Sequence, residues 1–428
     1  MGNAIRNCVI GIRGEYINSS HSVDIWFDSI KSVASVLSEE NRDLLKLIVR
    51  NKPQTVTELS KESGRAVSNL SRTIKTLEKH GIVRLETSGK KIKPVVLFED
   101  FQIVCGSGRV SKSSSSNYSL VSMFTGVGGL DMGFEGGFKY KEKKYATQPF
   151  DTLAAFEKDA KCVETIKSNL DIPIYQVELS EDLVPKFPAA DVLIGGFPCQ
   201  DFSSCGPKKG LSSERGQLYK VLTSYMKQHR PKVVCGENVP NLARMEQGAV
   251  LETIVKDFEA EGYKVQVWNL FAPDYGVPQS RRRLFFVCTR NDLLGEPQKP
   301  KATFLNKHRG TRWAIEDLEG VCDESVPNQS QYFKASKAKK GNGQGDEHCK
   351  AESPSYTIRA NAKSRVQFHY KLERRLTIRE CARLQTFPDE FVFPHSATSN
   401  VMQIGNAVPP VLAYAVASSL RKYLDSIS

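Results

Sequence analysis

The chain has 428 residues, 40% hydrophobic and 25% charged, a balance that fits two or three folded domains and excludes collagen-like, disordered and disulfide-scaffold chains. No apolar run is long enough to span a membrane, the amino terminus lacks a secretory layout, and the ten cysteines contain no CxxC pair, so no membrane location and no metal centre are expected. Lysine and arginine exceed the acidic residues by a formal charge of +12, which favours a polyanionic partner, above all nucleic acid, in a reduced, cytoplasmic setting.

Residues 1–40 alternate apolar and polar positions without an assignable motif. Asp43 to Arg50 has the apolar spacing of a short helix, and a second helix over Thr55 to Ser63 opens on Thr55 with Glu58 at capping-box spacing and ends at Gly64. A third runs from about Val67 to His80 with Leu70, Ile74 and Leu77 on one face, while Asn69, Arg72, Lys75 and Lys79 lie elsewhere. A hairpin pattern follows from Ile82 to Glu86, through Ser88-Gly89, to Pro94 to Phe98, with Lys90, Lys91 and Lys93 at its tip. Residues 41–104 resemble the winged helix-turn-helix domains of transcriptional regulators, which implies a third helix in the major groove and a wing on the phosphates. A basic helical domain that binds another protein remains the alternative. The Gly/Ser-rich stretch 105–118 reads as a linker.

From 119 to 290, strand-like runs alternate with helical patterns: Leu120 to Thr125, Thr152 to Phe156, Asp191 to Ile194, Val233 to Cys235 and Leu284 to Thr289. This rhythm predicts an α/β fold with a mostly parallel sheet covered on both faces. Residues 291–371 break the rhythm and read as a separate loop-rich module, and 372–428 return to the α/β domain.

Four short segments carry the chemistry. Phe124-Thr-Gly126-Val-Gly128-Gly129 follows a strand and opens a helix, as a turn that approaches a nucleotide-like ligand does, and Glu157 ends the next strand, where a carboxylate can take both hydroxyls of a ribose. Gly195-Gly196-Phe197-Pro198-Cys199-Gln200 puts a thiol beyond a buried strand, a setting for a nucleophile. Gly236-Glu237-Asn238-Val239 adds a carboxyl group at the same rim, and Gln279-Ser280-Arg281-Arg282-Arg283 brings two alternate arginines to one face of a following strand. Any one of these has an ordinary structural explanation; the combination does not.

Taken in order with Arg375-Leu-Thr-Ile-Arg379-Glu380-Cys-Ala-Arg383-Leu-Gln385 and Gln403-Ile-Gly405-Asn406-Ala-Val408-Pro-Pro, these segments closely resemble the DNA cytosine C5-methyltransferases over about residues 119–424. The resemblance implies a Rossmann-like S-adenosylmethionine-dependent methyltransferase fold with a small target recognition domain in 291–371. It implies Cys199 as the nucleophile that adds to C6, Glu237 at N3 and N4, Arg283 at O2 and Arg281 orienting the loop. S-adenosylmethionine would meet Phe124, Gly126, Gly128, Gly129 and Leu130, with Glu157 on the ribose and Asn406 and Val408 beside the methionine end. Glu178 stands where the family usually has an Asp for the adenine, and Ala407 where many members have Ser.

Double-stranded DNA is the implied partner on the nucleoid, with the target base flipped out of the stack and the basic segment Asp201 to Arg215 closing over it. In 291–371, Tyr332, Phe333, Tyr356 and Thr357-Ile-Arg359-Ala-Asn361 are candidates for reading bases. A cognate restriction endonuclease encoded nearby is expected, without a stable complex. Two rival readings are a tRNA cytosine methyltransferase and a regulator with an inert methyltransferase half.

Overall fold

Capping chemistry sets the ends of the first helices in the computed structural model, which describes residues 6–12, 25–27, 33, 36–88, 91–104, 117–198, 218–334, 347–360 and 366–428. Gly89, Lys90, most of the expected linker, Cys199 with Gln200, the basic segment 201–215 and Asn361 lie outside the described residues. The chain divides into two units, Met1–Ser115 and Ser116–Ser428.

In the first unit, strands β1 (Arg6–Ile12) and β2 (Ile25–Phe27) precede helices α1 (Glu39–Asn51), α2 (Val56–Ser63) and α3 (Val67–Lys79). The hairpin β3 (Val83–Ser88) and β4 (Lys91–Val96) and a further strand, β5 (Phe98–Val104), complete it. Thr55 caps α2 by accepting from the Glu58 amide at 3.1 Å, but the Glu58 carboxylate returns to the amide of Gln54 rather than that of Thr55, so the capping box is displaced by one residue. Gly64 closes α2 in the left-handed conformation at φ 69°. Leu70, Ile74 and Leu77 are buried at the helical spacing the sequence predicts.

The residues before 41 are not a separate extension: Cys8, Ile10, Ile25, Phe27, Val33 and Val36 share one core with the three helices. Among the described residues, that segment does not pair with the hairpin. β1 lies between β2 and β5, parallel to both, and the hairpin β3–β4 forms its own two-stranded sheet.

The first strand of the second unit is β6 (Tyr118–Met123), followed by α4 (Gly129–Glu135), the small hairpin β7 (Phe138–Tyr140) and β8 (Lys143–Tyr145), and β9 (Phe150–Glu157). Next come α5 (Ala160–Asn169), β10 (Ile174–Gln176), β11 (Val192–Gly196), α6 (Lys220–His229), β12 (Val233–Asn238) and α7 (Ala249–Ala260). Then follow β13 (Tyr263–Phe271), β14 (Arg282–Arg290), α8 (Thr311–Ile315), α9 (Ile378–Leu384), α10 (Ala397–Asn406) and α11 (Pro410–Ile427). The seven-stranded sheet has the order β10-β9-β6-β11-β12-β14-β13. The first five strands run parallel, β14 runs the opposite way between β12 and β13, and β13 returns in the direction of the first five, which makes the sheet mixed with a parallel majority.

Successive side chains of each strand enter opposite cores. Leu120, Ile194, Cys235 and Phe285 face the core shared with α4, α9, α10 and α11, while Val121, Leu193, Val234 and Phe286 face the core shared with α6 and α7. The loop-rich stretch 291–371 has no core of its own among the described residues: Ala314, Ile315, Cys349, Ile358 and Val366 belong to the first of these cores. No helix among the described residues is long and apolar enough to cross a membrane.

Candidate active site

Parallel strands end together, so the segments that follow them gather at one edge of the sheet. β6 delivers the Phe124 turn there, β9 delivers Glu157, β11 delivers Phe197-Pro198, and β12 delivers Glu237 and Asn238; β14, running the other way, starts at this edge with Arg282 and Arg283.

The turn is built from left-handed backbone. Phe124 has φ 54°, a conformation strained for a non-glycine residue, and Gly126 and Gly128 follow at 59° and 77°. A side chain at Gly126 would meet nothing within 4 Å, so the turn faces open space at this point. Gly129 must be glycine for the opposite reason, because a Cβ would run into the carbonyl of Val408. That contact brings the first and last motifs together although 279 residues separate them. Leu130 is buried in α4. Glu157 accepts the amide hydrogens of Gly126 and Asp159, each at 2.8 Å, and burial raises its pKa against the pull of those amides.

Glu237 and Arg283 are both nearly buried, and Arg283 Nε stands 2.6 Å from Glu237 Oε1. The contact is electrostatic rather than an aligned hydrogen bond, since neither atom has a hydrogen-bond partner of good geometry. Burial pushes the Glu237 carboxyl above the usual carboxylate range, and Arg283 and Arg281 pull it back only in part. A buried carboxyl inclined to hold a proton, beside a fixed guanidinium, can donate to a ring nitrogen while the cation polarises a neighbouring oxygen.

Arg281 shares that face but has no solvent-exposed surface. Its guanidinium donates to the carbonyls of Ile358 at 3.1 Å, Gly405 at 2.6 Å and Ala407 at 2.9 Å. Three main-chain carbonyls thus hold the guanidinium in place, a setting that fits the loop-orienting role the resemblance implies for it. Gln279 extends this clasp through its amide to Leu384 and Gln385 and through its oxygen to the Ile358 amide.

Of the remaining candidates, Asn406 is exposed at the end of α10 and Val408 is buried against Gly129. Glu178 is largely exposed and pairs with Lys158 at 3.2 Å. Tyr332 is exposed and Tyr356 donates to Glu347 at 3.0 Å. Sequence reasoning missed Asn238, whose amide donates to the Phe197 carbonyl at 3.2 Å and so ties β12 to the chain two residues before Cys199. The cue was its place next to Glu237. Arg379, quoted only as part of a motif, is wholly buried and donates to the carbonyls of Pro327, Pro388 and Phe391.

Comparison with known proteins agrees with this geometry. The family model for C-5 cytosine-specific DNA methylases matches residues 118–422, and a second model, described as HVO_A0114, matches residues 36–103. The chain is 30% identical to the type II methyltransferase M.FnuDI of Fusobacterium nucleatum, over 71% of this chain and 94% of that protein. It is 30% identical to M.NgoPII of Neisseria gonorrhoeae, over 74% of this chain and 100% of that protein. Among solved structures, a DNA modification methyltransferase proposed from an E. coli prophage superposes with TM-score 0.54 at 21% identity, covering 72% of this chain and 99% of that one, which shows a shared fold. With the family model spanning most of the chain and the motif segments gathered at one edge of the sheet, this protein belongs to the C-5 cytosine-specific DNA methylase family.

Proposed function

We propose that the protein transfers a methyl group from S-adenosylmethionine to C5 of a cytosine within a specific sequence of duplex DNA, as the modification enzyme of a restriction-modification system. The observation that carries the reading is the buried Glu237–Arg283 pair at the sheet edge where β11 ends and Phe197-Pro198 follow. The naming of its relatives as type II methyltransferases supports the biological setting.

The residues present fit the cofactor. Glu157 lies beside the amide-lined turn and the open space over Gly126, an arrangement suited to the hydroxyls of a ribose. Phe124, Gly128, Gly129, Leu130, Asn406 and Val408 would surround the rest, with Glu178 toward the adenine. When bound, S-adenosylmethionine supplies a methyl group already activated on a sulfonium.

Cytosine C5 is a weak nucleophile, and the Cys199 thiolate overcomes this by bonding to C6. Glu237 holds N4 and gives its proton to N3, so that negative charge does not accumulate on the ring, while Arg283 holds O2. C5 then takes the methyl group from S-adenosylmethionine, which is left as S-adenosylhomocysteine; a base removes the C5 proton, the bond from C6 to sulfur breaks to return the Cys199 thiolate, and N3 gives its proton back to Glu237, releasing 5-methylcytosine. The cytosine must leave the helical stack for the thiol to reach C6.

The exposed Arg72, Lys75 and Lys79 of α3 favour DNA as the partner of the first unit too, and autoregulation of the enzyme's own operon is the role we assign to it. Footprinting of the full chain on that promoter tests this, and an unprotected promoter removes it. For the enzyme, methyl transfer from labelled S-adenosylmethionine to plasmid DNA and to tRNA is compared between wild type and Cys199→Ala, followed by bisulfite sequencing. DNA labelling that vanishes in the variant is expected. Labelling of tRNA alone overturns the DNA reading, and labelling of neither by folded protein overturns catalysis.

A further inference from the structure

The chain entering β14 carries a third arginine between Arg281 and Arg283. Successive residues of a strand point to opposite faces, so Arg282 turns away from its two neighbours. Both neighbours are buried, and Arg282 is exposed. In the antiparallel register of β13 and β14 it stands opposite Phe271, the last residue of β13. Side chains directly opposite share a face, and the Arg282 guanidinium carbon lies 4.2 Å from the centre of the Phe271 ring.

That ring is held from a second side. His308 meets Phe271 edge-on, with ring centres 5.7 Å apart and planes at 78°, and its Nε2 is 2.8 Å from Asp274 Oδ1. Asp274 belongs to the turn Ala272–Tyr275 that leads out of β13. The Phe304 amide donates to the Asp274 carbonyl at 3.0 Å, so the segment that bears His308 is tied to the same turn.

What Arg282 lacks is a carboxylate. Arg290, at the far end of the same strand, is taken up by Asp292 at 2.6 Å, and Arg283 by Glu237. Asp274, the acidic group of the adjoining turn, is engaged by His308. Among the described residues no hydrogen bond or ion pair occupies the Arg282 guanidinium; its contact is the ring. A guanidinium settled on a ring gives up little freedom when it binds, and the N–H donors in its plane remain free for an oxyanion. Phosphate, taken by two parallel N–H donors, matches that fork.

We propose that Arg282 grips a backbone phosphate of the DNA strand beside the cytosine that Glu237 and Arg283 hold, with Phe271 as its platform and His308 bracing the platform. Neighbouring Cα atoms are about 3.8 Å apart, which puts the free arginine within side-chain reach of the groups that flank a base held by Arg283. Base and phosphodiester are taken on opposite faces of one strand. A phosphate contact sets the position of the duplex without reading its sequence. Arg282 is thus a binding residue rather than a catalytic one, and the inference rests on reading the substrate as DNA.

The test measures binding and methylation by the full chain across a range of salt, with a plasmid fragment that wild type methylates and one that it does not. Wild type is compared with Arg282→Ala, Arg282→Lys and Phe271→Leu. Arg282→Ala should bind both fragments about five- to twentyfold more weakly and lower the slope of log affinity against log salt by about one. Its KM for DNA rises by the same factor, while kcat at saturating DNA and S-adenosylmethionine affinity stay at wild-type values. Arg282→Lys keeps the salt slope but loses the fork and binds roughly two- to fivefold more weakly. Phe271→Leu keeps the slope and loses about threefold in affinity. Wild-type affinity and slope in Arg282→Ala overturn the proposal. A loss confined to the methylated fragment makes Arg282 a base reader and overturns the phosphate assignment, and a matching fall in melting temperature or S-adenosylmethionine affinity makes it structural. Folded wild type that binds and methylates neither fragment but labels tRNA overturns the DNA reading itself.

Discussion

Arg281 and Arg283 stand two positions apart on the same face of the chain entering β14, and both are buried, yet they do different work. Arg283 meets the carboxyl group of Glu237 and donates to the Arg282 carbonyl at 2.8 Å. Arg281 donates to main-chain carbonyls of Ile358, Gly405 and Ala407 and so joins segments that are distant in sequence. Residue type and spacing do not tell these two arginine environments apart; what lies opposite does.

The comparison is sharpened first at the reacting pair. Glu237→Gln keeps the shape but cannot give up a proton in the same way, and single-turnover methyl transfer should fall roughly 10²- to 10⁴-fold while S-adenosylmethionine affinity holds. The raised Glu237 pKa also sets a sign: wild-type single-turnover rate declines as pH rises through the raised value, and the glutamine variant lacks that limb. Retention of the limb in the variant would assign it to another group.

Arg281→Lys probes the structural side. One ammonium cannot serve three carbonyls, so buried acceptors lose partners and stability should drop by about 3 kcal/mol in urea denaturation, with the rate per folded molecule little changed. A rate loss as large as that of Glu237→Gln, at unchanged stability, would move Arg281 back among the reacting groups.

Asp131 gives a second buried carboxyl to set beside Glu237. Its pKa is raised from 3.8 to about 6, so the folded state holds a proton the unfolded state has released. Stability from this group is present below the unfolded value and is lost as pH rises to the folded one, by about 3 kcal/mol in all. Asp131→Asn should therefore be more stable than wild type at pH 8 by up to that amount, an advantage that disappears near pH 4, as thermal melts at both pH values would register.

The smallest effect concerns the first unit. Replacing Arg72 and Lys75 by Ala should lower the salt dependence of promoter binding by roughly two ion equivalents and leave plasmid methylation unchanged. A parallel loss of methylation would mean that α3 supplies affinity to the enzyme instead.

Much of this protein is legible before folding because the motifs are local. Phe124 to Gly129 is a strand-to-helix turn in any reading, and Leu70, Ile74 and Leu77 mark their helix by spacing alone. β10 was not legible, because three residues carry no usable period, and β13 was missed because its lysine and glutamine positions dilute the strand signal. The residues before 41 show the same limit: their apolar side chains find partners in helices that follow much later.

The sequence by itself determined the motif segments that offer the candidate reacting groups and the chain order of the strands and turns that carry them. Only the tertiary structure decided that Glu237 faces Arg283, that Val408 closes on Gly129, and that Arg281 is spent on the framework. The physical reason is that a side chain's pKa and hydrogen-bond partners depend on what surrounds it, and here those surroundings come from segments tens to hundreds of residues away, brought together by burial of the sheet between two cores.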